Sequence, residues 1–88
     1  MADSRDTQIP IDRLVATVRK NSREEVRISL RLFRGHRFID VRLYALNADG
    51  TWIFTPKGFG IKQETYQPIM DGLAEAHALA IKEGFFGG

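Results

Sequence analysis

Val26-Arg27-Ile28-Ser29-Leu30-Arg31-Leu32-Phe33-Arg34-Gly35-His36-Arg37-Phe38-Ile39-Asp40-Val41-Arg42-Leu43-Tyr44 is the stretch that decides the fold. Val26, Ile28, Leu30 and Leu32 alternate with Arg27, Ser29, Arg31 and Phe33, which is the period of a β-strand with one apolar face. Arg34-Gly35-His36 reads as a tight turn. The alternation then resumes, with Ile39, Val41 and Leu43 on one face and Phe38, Asp40, Arg42 and Tyr44 on the other. Two neighbouring strands therefore share an apolar side and a side of arginines interleaved with aromatics.

Working outward, Leu14 to Arg19 reads as a strand, although Ile11, Leu14, Val15 and Val18 also fit a short amphipathic helix from Asp12. Lys20 to Arg23 is a turn. Asn47-Ala48-Asp49-Gly50 holds the Asp-Gly hairpin signal, and Thr51 to Thr55 forms a fourth strand closed by Pro56. Lys57 to Gly60 is expected as an irregular connector. The period then changes from 2 to 3.6. Tyr66, Ile69, Met70, Leu73, His77, Ala80 and Ile81 make one stripe of a helix from about Glu64 to Glu83, with Gly84 as its C-cap. The predicted fold is α+β: a four-stranded curved antiparallel sheet followed by one helix, ββββα. Its limits are a flexible segment at 1–9, a single domain at 10–84 and a tail at 85–88. The apolar sheet face is expected to take the helix stripe.

Composition narrows the function. The chain has 88 residues and no cysteine, so disulfides, thiol catalysis and cysteine-bound zinc are excluded. No apolar run reaches the ~18 residues of a membrane span. So short a chain buries little core by itself, and dimerisation is the remaining source of stability. Gly72, costly within a helix, points to close packing there, as against a second copy of the helix. His77 falls on the stripe as a packed residue. Between Arg13 and Arg42 nine cations face three acids, a local charge of +6 within a chain of net +2, whereas residues 58–88 sum to −2. No His, Asp or Ser stands in a catalytic or metal-binding pattern. Gly58-Phe59-Gly60 holds only part of a nucleotide fingerprint. Neither an enzyme nor a cofactor is indicated.

A sheet face of arginines and aromatics suits unpaired bases, whose flat faces stack on rings while cations track phosphates. RNA and an acidic protein surface are the alternative partners. In order and spacing, Ile28 to Gly35, Phe38 to Tyr44, Asp49-Gly50 and Thr55 to Gly58 resemble the C-terminal domain of the transcriptional coactivator positive cofactor four. The likeness runs from residue 28 to Tyr66 without a gap.

That resemblance implies a homodimer with helices packed between subunits. It implies sequence-nonspecific binding of single-stranded DNA in a sheet channel, without a cofactor or membrane, with transcription or replication proteins as further partners. The compartment implied is the cytoplasm or nucleoid if bacterial, and the nucleus if eukaryotic. The stacking phenylalanine falls on Phe33, the strand arginines on Arg31 and Arg42, the basic turn on Arg34 and His36, and the connector lysine on Lys57. Arg27 shares that face. Ala45 stands where the family often has tryptophan, and Tyr44 and Trp52 are the candidates to replace it. The dimer contacts fall on Tyr66, Ile69, Met70, Gly72, Leu73 and His77.

Overall fold

The structure, a computed structural model, describes residues 11–86. The expected flexible segment at 1–9 and the last two residues of the tail lie outside that range. Four strands, β1 (Ile11–Asn21), β2 (Glu24–Phe33), β3 (His36–Leu46) and β4 (Trp52–Lys62), are followed by one helix, α1 (Gln63–Lys82). The sheet is an antiparallel meander in the order β1-β2-β3-β4. β1 is a strand, which decides between the two readings of that segment.

Register keeps the two faces apart. Arg27 pairs with Arg42, Ser29 with Asp40, and Arg31 with Phe38, so the polar side chains of β2 and β3 share one face. Val26 with Leu43, Ile28 with Val41 and Leu30 with Ile39 share the other. The β2–β3 turn is a two-residue hairpin in which Arg34 (φ 53°) and Gly35 (φ 78°) are both left-handed, matching the twist of the strands.

β4 departs from expectation. Pro56 does not end it, and Lys57 to Gly60 are not an irregular connector; the strand runs to Lys62. A bulge between the Arg42–Gly58 and Tyr44–Phe54 pairs absorbs the proline. There the Thr55 hydroxyl donates to the Leu43 carbonyl at 2.6 Å and accepts from the Lys57 amide at 3.2 Å. One side chain thus makes the link to β3 that the proline backbone cannot.

The helix follows the same strand without a break. Lys62 is at once the last residue of β4 and the N-cap, at φ −85° and ψ 164°. No residue is left to turn the helix back, so it does not cover the apolar sheet face, contrary to expectation. It touches the sheet chiefly at β4, and none of its residues is buried. The result is a single layer of 52 × 39 × 18 Å. Its radius of gyration is 16.3 Å, against about 12 Å for a compact chain of this length. Leu32 and Ile61 are the buried apolar residues among those described. No helix is long and apolar enough to cross a membrane. Gly84 (φ 67°) ends α1 in a Schellman motif, donating to the Ile81 carbonyl at 3.1 Å while the Phe85 amide donates to Ala80 at 2.7 Å.

Two glycines differ in what surrounds them within one chain. A Cβ on Gly58 would run into the Val41 carbonyl oxygen and lie 2.8 Å from Arg42 Cα, both backbone atoms. Gly72 has open space around it. Gly58→Ala is therefore expected to cost at least about 2 kcal/mol and lower the midpoint of thermal unfolding. Gly72→Ala is expected to raise that midpoint through a gain of about 0.5–1 kcal/mol in helix propensity. A melting series on both variants checks the pair, and a lower midpoint for Gly72→Ala would place Gly72 in a tight interface.

Candidate nucleic-acid interface

The polar face is organised by two buried carboxylates. Asp40 on β3 is 2 % exposed. It accepts from Arg42 at 2.8 Å (Nη2 to Oδ1) and 3.3 Å (Nε to Oδ2), and from Arg31 Nη1 at 3.3 Å. A carboxylate so deep costs far more than it returns unless its lone pairs are filled, and here two guanidinium groups fill them. Arg42 also donates to the Thr55 carbonyl at 3.4 Å, and its ionisation is held above the ordinary value by the Asp40 hydrogen bond. Glu25 does the same near the start of β2, accepting from Arg27 Nε at 2.7 Å with Arg19 at 3.9 Å. Asp12 approaches Arg31 at 3.7 Å.

These anchored arginines lie over aromatic rings. The Arg27 guanidinium sits 4.1 Å from the centroid of Tyr44 and 6.0 Å from that of Trp52. Arg42 and Arg31 sit 4.8 and 5.4 Å from the centroid of Phe54, and Arg19 sits 5.5 Å from that of Trp52. Tyr44 meets Phe54 edge to face at 5.8 Å. Cations placed over rings in this way gain from the ring quadrupole, and the guanidinium planes of Arg27, Arg31 and Arg42 are held part-buried.

Glycine clears the floor. Gly58 and Gly60 pair with Arg42 and Asp40, and a Cβ on Gly60 would come within 2.8 Å of the Phe38 ring. With no side chain there, Phe38 and Arg42 lie across β4. Arg31, Phe33, Phe38, Asp40, Arg42 and Phe54 enclose most of a concavity of about 260 Å³.

The sheet thus gathers Arg27, Arg31, Arg42, Tyr44 and Trp52 on one face. Phe33 stands at the hairpin end of β2, 54 % exposed, with the Arg34 guanidinium 5.1 Å from its ring. His36 pairs with Phe33 and is exposed. Lys57 lies in the bulge of β4, toward the opposite end of the sheet. Its charge helps hold the Glu24 carboxyl below the usual range, an effect led by the hydrogen bond from the Asn21 side chain. Arg34 makes no ion pair among the described residues, whereas Arg31 and Arg42 are held by Asp40. Phe54 also belongs to the face, a residue that the sequence reading leaves out. Its signal is present there: it stands two residues from Trp52 and so shares its side of the strand. Among the described residues no group of His, Asp and Glu forms a metal site.

The comparisons with known proteins agree with this geometry. The family model "Transcriptional Coactivator p15 (PC4)" matches residues 20–72, more than half of the chain. A solved structure of BPSL1147, a PC4 homolog from Burkholderia pseudomallei, is 35 % identical, with a TM-score of 0.68 over 75 % of this chain and 89 % of that one. A second crystal form gives 34 % identity and a TM-score of 0.69, over 76 % of this chain and 98 % of that one. The bacteriophage T5 homolog of the eukaryotic coactivator PC4, a protein implicated in recombination-dependent DNA replication, shares the fold. It is 22 % identical, with a TM-score of 0.56 over 83 % of this chain and 82 % of that one. No curated protein matches the chain. With the strand order, the basic sheet face and the family match together, the chain belongs to the PC4 family of transcriptional coactivators.

Proposed function

We propose that this chain is a non-enzymatic, sequence-nonspecific single-stranded-DNA-binding protein that acts as a homodimer. The observation that carries the reading is the concavity on the polar face, where Phe33, Phe38 and Phe54 stand beside Arg31 and Arg42. Duplex DNA hides the flat faces of its bases and offers nothing to such rings. An unpaired base stacks on an exposed ring such as Phe33, gaining about 1–3 kcal/mol for each stack, while outward-facing cations take the phosphates.

The residues divide by role. Phe33 stacks on a base, and Phe54, Tyr44 and Trp52 with their overlying arginines extend the stacking surface. Arg34, His36 and Lys57 hold phosphates. Arg27, Arg31 and Arg42 offer the guanidinium donors left over from Glu25 and Asp40, and those carboxylates fix where the donors point. Phosphate contacts of this kind carry no sequence information, which is why the binding is nonspecific.

The dimer follows from what one chain leaves bare. Tyr66, Met70 and Leu73 are exposed along α1, and Leu30 is exposed on the apolar face of the sheet. A second copy covers them, and two sheets then present two basic faces to one strand.

Titration with single-stranded DNA, matched duplex and RNA of the same sequence, about 15–20 nucleotides long and at several salt concentrations, tests the reading. The expected result is preference for single strands and affinity that falls steeply with salt. Phe33→Ala is expected to weaken binding about 5- to 100-fold with the salt slope unchanged. Arg34→Ala is expected to reduce the slope by about 0.7 for each phosphate that this arginine neutralises. Equal or tighter binding of the duplex would contradict the proposal, and tighter binding of the RNA would reassign the ligand.

A further inference from the structure

On the apolar side, the sheet and the root of the helix enclose a second, larger cavity of about 580 Å³, lined by Leu30, Leu32, Ile39 and Tyr66 with Arg13 and Arg37 among its walls. At the far end of the helix stand Phe85 and Phe86. At 79 % and 68 % they are the two most exposed large apolar side chains among the described residues. They are not loose. The Schellman turn fixes the backbone of Phe85, the two rings meet at 6.3 Å, and Phe86 lies 6.5 Å from the ring of His77. We propose that this aromatic pair is a plug that fills the apolar cavity of a second copy of the chain.

The stripe on α1 supplies the register. Part of it is symmetric about Leu73: Tyr66 and Ala80 stand seven residues to either side and Ile69 and His77 stand four, whereas Met70 and Ile81 have Ala76 and Thr65 at the mirrored positions. In a two-fold antiparallel pair of helices centred on Leu73, Tyr66 therefore meets the partner's Ala80 and Ile69 meets the partner's His77. The Schellman turn folds Phe86 back beside His77, whose level in this register is the partner's Ile69, about one helical turn from the Tyr66 that lines the cavity. The plug cannot serve its own chain, because a helix of 20 residues carries it about 30 Å from the sheet.

Charge agrees with shape. At the incoming helix end Lys82 and Glu83 cancel, so the negative pole of the helix dipole is what faces the Arg13 and Arg37 of the cavity that receives it. Two phenyl rings suit the apolar walls, and burying them removes the largest exposed rings of the helix end from water.

The plug rests on the homodimer proposed above, so its test separates the two. The chain has no cysteine, which leaves introduced thiols without competitors. Leu73→Cys reports the helix pair alone by forming a disulfide-linked dimer on mild oxidation. Phe86→Cys and Leu30→Cys, both at exposed positions, are mixed as separate proteins, one carrying a tag so that the mixed species has its own mass. The proposal predicts cross-links in both experiments. It also predicts that Phe85→Ala with Phe86→Ala raises the dimer dissociation constant at least about tenfold in sedimentation. A Leu73→Cys cross-link without the mixed 86–30 species overturns the plug and leaves the dimer standing, as does an unchanged dissociation constant. No Leu73→Cys cross-link together with a monomer mass overturns both.

Discussion

The direct passage of β4 into the helix is the constraint on which the rest of this molecule depends. Lys62 closes the strand and caps the helix, and nothing lies between that could fold one onto the other. A small α+β chain ordinarily buries its sheet under its helix. Here the helix projects, the sheet stays one layer thick, and both faces are left to be used. The faces differ completely in chemistry because the strands alternate with period two. One is apolar and is left exposed, with Leu30 bare upon it. The other is arginine and aromatic and matches a ligand with flat rings and negative charge.

The polar face is more than an accumulation of positive charge. Asp40 and Glu25 each bind two arginines, which lowers the net charge and raises the order. Long arginine side chains lose rotamer freedom on binding. Anchored at one edge by a carboxylate and laid over a ring, they have lost much of it already. What remains outward is a set of guanidinium planes at fixed positions, which suits stacking better than diffuse attraction. Arg34, which no carboxylate among the described residues holds, lies at the hairpin end, so its charge is not offset by a neighbouring acid.

Much of this was legible in the sequence, and the parts that were not have physical reasons. Period-two alternation in β2 and β3 settles which residues share a face, because a strand has no other way to place Arg27, Arg31 and Arg42. Arg34-Gly35 as a tight turn and the helix stripe could be read for similar local reasons. Pro56 misleads because proline ends most strands, whereas here a bulge and the Thr55 hydroxyl accommodate it, and that depends on the neighbouring strand. Phe54 is missed along with it. The helix is expected on the sheet because two apolar surfaces in one chain invite each other; only the absence of a connector, which the misread β4 conceals, prevents it. Gly72 is expected at a tight contact, yet within one chain open space surrounds it.

Trp52 is the only tryptophan in the chain and stands on the polar face beside Arg19 and Arg27. Its fluorescence therefore reports directly on the face that the account assigns to the nucleic acid. Titration with a single-stranded oligonucleotide is predicted to quench that emission to saturation, with the matched duplex leaving it nearly unchanged at the same concentrations. Emission that stays constant while the single strand binds, or that falls equally with the duplex, would contradict the assignment.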